Sequence, residues 1–493
     1  MKLYLDLDNY DYQPERYKYA VEQMMLTLFP EERPEYPPRE GRTLKGETNA
    51  ARFTLRRSPV WTTVRAQVYR PQGMGQAAVR VGSGQLDRPP EQVYHTLQHA
   101  LKMAFYQAGT ALLGGEPPWG ALTGVRPVKL PTRAMLAGAT EAQACRELER
   151  EYHVSPRRAR LAVECARASL AEDRQLEEGQ VSLYIGIPFC PTRCAYCSFV
   201  SADVGRALKL VDPYVEALLE EVRRTGQVLE QAGLRVRTLY VGGGTPTTLS
   251  ASQLDRLLAA AEAHLPLAGC REMTVEAGRP DTITREKLEV LREHGIERIS
   301  INPQTMSDQV LQAIGRRHTA REVDFACINM DLIAGLPQDS VEGFRDSLEE
   351  VLALRPENIT VHTLAMKKGS RLMEEGGALP SGEETARMVD LSLEALEGAG
   401  YRPYYLYRQK YMSGGLENVS WCLPGTENHY NIIMMEELQS VLSLGAGGVT
   451  KLVDRSSGRI VRLTNPKYPH DYLAMSAKVL EQKDEILRFY REV

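Results

Sequence analysis

From Val181 onward the chain alternates short apolar runs with longer stretches of helical periodicity, and this alternation leaves few folds open. Strands that return in the same direction need a crossover between them, so the pattern is that of a parallel sheet with helical connections. The runs expected as strands are Leu183 to Ile187, Thr238 to Val241, Met273 to Glu276, Arg298 to Ile301, Ile328 to Ile333 and Ile359 to Thr363. Six such units suggest an α/β fold built on a partial (βα)6 barrel. In parallel barrels the chemistry sits at the carboxyl ends of the strands.

The first of these strands runs directly into Tyr184-Ile-Gly-Ile-Pro-Phe-Cys-Pro-Thr-Arg-Cys-Ala-Tyr-Cys-Ser-Phe199. Cys190, Cys194 and Cys197 are spaced by three residues and then two, so their sulfurs can converge on one face of a loop that Pro188 and Pro191 stiffen. A fully ligated 4Fe-4S cluster takes four cysteines, and no fourth stands nearby. One iron would then be open to a small molecule. Structural thiols or a zinc knuckle are the alternative, although zinc sites usually draw paired ligands from two segments.

Other residues of note fall at the ends of the later strands. The second ends in Gly242-Gly-Gly-Thr-Pro-Thr247, where consecutive glycines permit close backbone approach. Glu276 ends the third, Gln304 lies just past the fourth, and Asp331 sits inside the fifth. An acid within an apolar parallel strand is costly unless it meets a ligand or a partner.

The cysteine loop followed one unit later by the glycine turn resembles the signature of the radical S-adenosylmethionine (SAM) superfamily. That resemblance implies a 4Fe-4S cluster held by Cys190, Cys194 and Cys197, with SAM on the open iron and its amino end near Gly243, Gly244 and Thr245. Taken with Glu276, Gln304 and Asp331, the chain is similar to the oxygen-independent coproporphyrinogen III oxidase family. The resemblance implies ribose and adenosine contacts at Glu276, Gln304 and Asp331. It places Ile333 beside adenine, Arg316 on the SAM carboxylate and Tyr184 near the cluster and SAM. The runs Pro118-Trp-Gly-Ala-Leu-Thr-Gly-Val-Arg-Pro127 and Tyr404-Tyr-Leu-Tyr-Arg-Gln-Lys410 look like the long, HemZ-type coproporphyrinogen dehydrogenases of that family.

The implied activity is oxidative decarboxylation of two propionates of coproporphyrinogen III, giving protoporphyrinogen IX. It would use a low-potential electron donor of flavodoxin or ferredoxin type. A tetracarboxylate calls for cations, so Arg126, Arg193, Arg408 and Lys410 are candidate propionate contacts. Tyr401, Tyr404, Tyr405, Tyr407 and Tyr411 are candidates to line the tetrapyrrole, or else pack on a sheet face. Heme chaperones of the superfamily carry His-Asn-x-x-Tyr-Trp where this chain has Asn428-His-Tyr-Asn431. A heme carrier, a related radical methyltransferase and a heme-ring-opening enzyme are the alternatives. One departure from the family is the nine residues between His318 and Ile328. Two helical turns reach about 13 Å, less than the roughly 17 Å of a strand length.

At 493 residues the chain has room for several domains. Residues 1–175 read as an α/β accessory domain, 176–400 as the barrel, and 401–493 as a small module covering the substrate. Within the first, strands are expected at Lys2 to Leu7, Arg52 to Arg57, Trp61 to Tyr69 and Ala77 to Val81. A helix is expected from about Pro14 to Leu28, and helices dominate from Glu91 to about Ala171, followed by a charged linker to Gln180. A charged fraction of 25% and a formal charge of −4 give no polyelectrolyte signal, so no nucleic-acid partner is expected. With no apolar run of membrane-spanning length and five further cysteines scattered as packing thiols, no membrane is expected and the cytoplasm is.

Overall fold

The structure, a computed structural model, describes residues 1–7, 15–37, 44, 46–197, 202–314, 327–367, 370–375, 378–409 and 412–492. The chain separates into two compact units, one of residues 1–161 with 408–416 and the other of 162–407 with 417–493.

In the first unit, β1 (Lys2–Asp6) pairs in parallel with β2 (Ala50–Arg57), which continues antiparallel into β3 (Trp61–Arg70) and β4 (Gly73–Gly82). Alternation along these strands sends Phe53, Leu55, Val64, Ala66 and Val68 to one face. The helices Glu15–Leu28 and Pro90–Thr110 contribute Val21, Met24, Leu97, Leu101 and Phe105 to the same core. The hairpin between β3 and β4 closes between Arg70 and Gly73.

The second unit is built on one sheet. All six expected strands are present and parallel: β5 (Gln180–Ile187), β8 (Arg235–Gly243), β9 (Glu272–Glu276), β10 (Arg298–Gln304), β11 (Ile328–Ala334) and β12 (Asn358–Thr363). They lie side by side in chain order. A two-residue pair, β6 (Phe189–Cys190) and β7 (Ala202–Asp203), brackets the cysteine loop. The helices Val204–Gln231, Ala251–His264 and Arg285–Glu293 are the crossovers after β5, β8 and β9, and their apolar faces close the main core over Leu183, Ile185, Leu239, Val241 and Ile299. Ser250 and Thr284 cap two of these helices by accepting from Gln253 N–H and Lys287 N–H. Of the nine residues noted between His318 and Ile328, all but Cys327 lie outside the described residues.

The stretch 401–493 does not stand apart. Its β13 (Arg402–Tyr407) and β14 (Asn418–Cys422) extend one edge beyond β12. Its β15 (Val441–Leu444), β16 (Val449–Val453) and β17 (Ile460–Thr464) extend the other edge beyond β5. An open parallel sheet presents unpaired backbone on both flanks, and these strands satisfy it. Glu221, buried on the long helix after β5, accepts from Gly445 N–H at 2.8 Å, from Tyr472 hydroxyl at 2.6 Å and from Asn465 at 2.9 Å, which fastens the segment after β15 to the helix layer. The expected charged linker before Gln180 also has an inward member. Glu172, 2% exposed, is ion-paired with Arg237 at 2.7 Å, so one acid of that run is core, not solvated surface.

Candidate functional site

The strands determine which side chains share a face. Register places Tyr184 beside Tyr240, Glu276 beside Ser300, Ser300 beside Asn329, Asp331 beside Thr360 and Ile333 beside His362. Parallel neighbours in register project the same way, so these residues form a polar and aromatic face inside a sheet whose other face is apolar core.

At one end of this face Tyr184, Tyr240 and Tyr430 stack. Tyr240 and Tyr430 have ring centroids 4.5 Å apart, and Tyr184 lies 6.1 Å and 6.3 Å from them. Glu276 follows. Its Oε1 accepts from the Tyr240 hydroxyl at 2.6 Å and its Oε2 from Gly243 N–H at 3.3 Å. Burial pushes the Glu276 carboxyl up to about 7, with the charge of Asp331 adding and the two donors and His362 opposing. Beyond it runs a chain of hydrogen bonds. Asn329 donates to Ser300 Oγ at 2.7 Å and to Asp331 Oδ1 at 2.8 Å, while its own carbonyl accepts from Thr360. Asp331 Oδ2 lies 3.4 Å from His362 Nε2, and His362 Nδ1 lies 3.5 Å from the Tyr407 hydroxyl. Tyr405 and Tyr407 stack at 6.1 Å on the same side.

The glycine turn after β8 has a structural cause. A Cβ at Gly244 would lie 2.6 Å from the Phe189 carbonyl oxygen. Gly243, at φ +115°, is in a conformation that side chains disfavour, and its Cβ would lie 3.0 Å from the Ile187 carbonyl oxygen. Only glycine lets this turn lie against the strand that delivers the cysteines. Gly244 N–H donates to Ile187 and Thr245 N–H to Phe189, both at 2.8 Å.

The cysteine loop is held from several sides. Ala195 N–H donates to the Ile314 carbonyl, and Leu372 N–H donates to the Ala195 carbonyl, each at 3.0 Å. Ile333 packs in one cluster with Ala195, Val310, Leu311 and Leu364, so its side chain supports this loop. Gln304, buried at φ 72°, sits at an irregularity in the β10–β11 register where the strand leaves the sheet. Cys194 is buried and Cys190 and Cys197 are half-buried. All eight cysteines of the chain are thiols. Among the described residues no three His, Cys, Asp or Glu side chains already close on a common point. The donor set nevertheless suits an iron-sulfur group: three thiols lie on one loop, with Thr245 Oγ1–H donating to Cys190 Sγ at 3.5 Å and Arg279 Nη1–H to Cys194 Sγ at 3.8 Å. Donors to sulfur stabilise thiolates and the negative charge of a cluster.

Arg279 is one of the residues that the sequence did not single out. Its guanidinium is 2% exposed, forms a two-armed pair with Asp281 at 3.0 and 2.9 Å, and donates to Thr192 Oγ1 at 2.8 Å. It ties the turn after Glu276 to the cysteine loop. An arginine beside a proline, with an aspartate two residues on, directly after an acid-ended strand was the available signal. Substituting Arg279→Met is expected to lower stability by about 2 kcal/mol or more, because Asp281 and Thr192 lose charge-assisted partners. It should also reduce iron retained per chain after reconstitution. Thermal unfolding and iron analysis check both.

Other expected residues lie elsewhere. Arg408 is buried in the first unit with its guanidinium on the carbonyls of Leu122 and Gly415 and against the Trp119 ring, so it is a structural tie, not a free propionate contact. Tyr401 donates to the Pro356 carbonyl at 2.6 Å, and Tyr404 is buried against Cys422 and Ile432. Arg126 is half-buried in the first unit and Arg193 is exposed on the cysteine loop. Arg316, Lys410 and Tyr411 lie outside the described residues.

Known proteins can now be set beside this arrangement. The family model for the radical SAM superfamily matches residues 184–350. The oxygen-independent coproporphyrinogen-III oxidase-like protein HemZ of Bacillus subtilis (strain 168) is 38% identical over 83% of this chain and 84% of its own. The heme chaperone HemW of Lactococcus lactis is 31% identical over 62% of this chain and 77% of its own. Among solved structures, the coproporphyrinogen III oxidase HemN of Escherichia coli, a radical SAM enzyme, superposes with a TM-score of 0.50. That match has 24% sequence identity and covers 63% of this chain and 72% of that one.

Proposed function

We propose, from the premise that the chain belongs to the radical SAM superfamily and within it to the oxygen-independent coproporphyrinogen III oxidase-like proteins, that it decarboxylates coproporphyrinogen III to protoporphyrinogen IX without oxygen. The cofactors of the superfamily are a 4Fe-4S cluster and SAM. Cys190, Cys194 and Cys197 would hold the cluster, and Glu276, Gln304 and Asp331 would receive the nucleoside of SAM. Bound there, the cofactors would supply radical chemistry able to remove a hydrogen atom from the β-carbon of a propionate.

The chain's own residues do the rest. Tyr184, Tyr240 and Tyr430 form an apolar wall with hydroxyls at its edge, which excludes water from a radical and leaves hydrogen-bonding groups for a polar ligand. The Gly243–Thr245 turn keeps the SAM side of the site within reach of the cysteine loop. Loss of carbon dioxide from the substrate radical forms the vinyl group and leaves one electron for an acceptor outside the chain. A flavodoxin- or ferredoxin-type donor supplies the electron that starts each cycle.

The observation that carries catalysis over heme carriage is the state of His429. Its Nδ1 lies 2.6 Å from Glu172, and its Nε2 accepts from Arg271 at 3.5 Å. Burial alone would raise the Glu172 carboxyl, but the hydrogen bonds and charges of His429 and Arg237 hold it low. Both ring nitrogens are therefore engaged with protein partners, which disfavours an axial iron ligand there. Reduced, reconstituted protein with SAM is expected to form 5′-deoxyadenosine and to convert coproporphyrinogen III through a three-propionate intermediate. Mass spectrometry reads the loss of carbon dioxide and hydrogen twice. A stoichiometric heme complex with neither deoxyadenosine nor decarboxylated product would instead make the chain a carrier like its HemW relatives. A methyl gain would make it a methyltransferase.

A further inference from the structure

The charge of the whole chain conceals a local exception. Between Ala50 and Gly82 the sequence carries six arginines, at 52, 56, 57, 65, 70 and 80, with no lysine and no acid, although the whole chain is at −4. Four of the six share one face of the sheet. Register sets Arg56 opposite Thr63 and Thr63 opposite Arg80. It sets Thr54 opposite Arg65, and Arg52 opposite Gln67. The opposite face is the buried core of the unit, so alternation leaves this one to solvent.

Arg56, Arg65 and Arg80 are exposed and hold no carboxylate among the described residues. Arg52 is paired with Asp6 at 2.6 Å, and Lys2 answers Glu47 at the β1 edge, so the acids lie to one side. Between the strands a shallow groove of about 220 Å³ is lined by Arg52, Thr54, Arg56, Thr63, Arg65 and Gln67. At one end of the face Trp61, 47% exposed, lies over the backbone of Gly82, where a Cβ would be 3.7 Å from the ring. Tyr69 stands opposite Met74 at the other end.

We propose that this face binds single-stranded nucleic acid. The cations are all guanidinium groups, which grip phosphate with two arms and stack on bases, whereas a merely solvated face has no reason to exclude lysine. Thr54, Thr63 and Gln67 add neutral donors and acceptors between them. An exposed sheet face with an aromatic ring at each end lets unpaired bases stack while the backbone follows the arginines. This face is independent of the cofactor site and of the proposed reaction. The expectation of no nucleic-acid partner averaged charge over the chain, and the sheet gathers the excess on one side.

The test uses the full chain with fluorescent oligouridylate and oligothymidylate of about twenty nucleotides, followed by anisotropy across a salt series. Wild type is expected to bind at low salt, with affinity falling as salt rises. Combined R56Q, R65Q and R80Q should weaken binding about tenfold or more and flatten the logarithmic salt slope by about 2, at roughly 0.7 for each phosphate no longer neutralised. Trp61→Ala should weaken binding without flattening the slope. Because these side chains are exposed, thermal unfolding and iron content should not change in any variant. Absence of binding at low salt, or equal binding by the triple variant, overturns the proposal. So does equally tight binding of polyglutamate or of phosphatidylserine vesicles.

Discussion

Protein carrying Cys190→Ala, Cys194→Ala and Cys197→Ala together is expected to retain no iron-sulfur absorbance after anaerobic reconstitution and to cleave no SAM. The wild type should hold about four irons. Three thiolates supply every protein bond to the cluster, so the loss is complete, not graded. The fold should survive, because the loop is also held by backbone bonds from Ala195 and by the apolar cluster around Ile333. Replacing Cys145, Cys165 or Cys422 provides the contrast. These lie in helix and strand contexts outside the loop, and iron content should be unchanged. Cluster and SAM cleavage retained by the triple variant would remove the basis of the proposed function.

The second large effect is a pH dependence of SAM binding set by Glu276. A carboxyl pushed up to about 7 is mostly protonated at pH 6, and a protonated acid is a poor acceptor for ribose hydroxyls. SAM affinity is expected to fall as pH drops below 7, by up to about tenfold per unit over roughly one to two units before it plateaus, and to level off above pH 7. Glu276→Gln should bind SAM more weakly at pH 8 and show no such dependence. Loss of charge-assisted hydrogen bonds costs about 1.5 to 3 kcal/mol, and Asp331→Ala should lose a similar amount.

Stability moves in the opposite sense. The folded carboxyl lies above its ordinary value of 4.5. The fold therefore has the advantage of this group at low pH and loses it as pH rises from about 4.5 through about 7. Glu276→Gln should consequently stabilise the cofactor-free protein above pH 7, by an amount on the order of 1 to 3 kcal/mol. Calorimetric titration of SAM and thermal unfolding across pH read the two effects separately. A pH-independent wild type with unchanged affinity in the Glu276 and Asp331 variants would make these acids structural.

The frame of the second unit was legible in the primary structure because each parallel strand is buried on its core face and writes that burial as a short apolar run. The observed strands overlap all six expectations and run one to three residues beyond most of them. The cysteine loop and the glycine turn were legible for a similar reason. Thiols at fixed spacing and glycines without room for a Cβ are local requirements, and local requirements appear at fixed positions along a chain.

What stayed hidden depends on partners distant in sequence. Arg279 looks like a turn residue until the fold brings Thr192 and Cys194 to it. Tyr240 and Tyr430 acquire meaning only when they stack, 190 positions apart, beside Glu276. Arg408 was a candidate propionate contact and is a buried tie to main-chain carbonyls. The segment beyond 400 looked like a module of its own because its composition changes there. Its strands instead cap both edges of the sheet, a placement decided by unpaired backbone hydrogen bonds that no local pattern records. Side-chain periodicity and motif chemistry were thus determined by the sequence alone, because they follow from neighbours along the chain. The acid pushed up to about 7, the donors aimed at sulfur and the arginine face were decided only when tertiary structure set burial and charge in space.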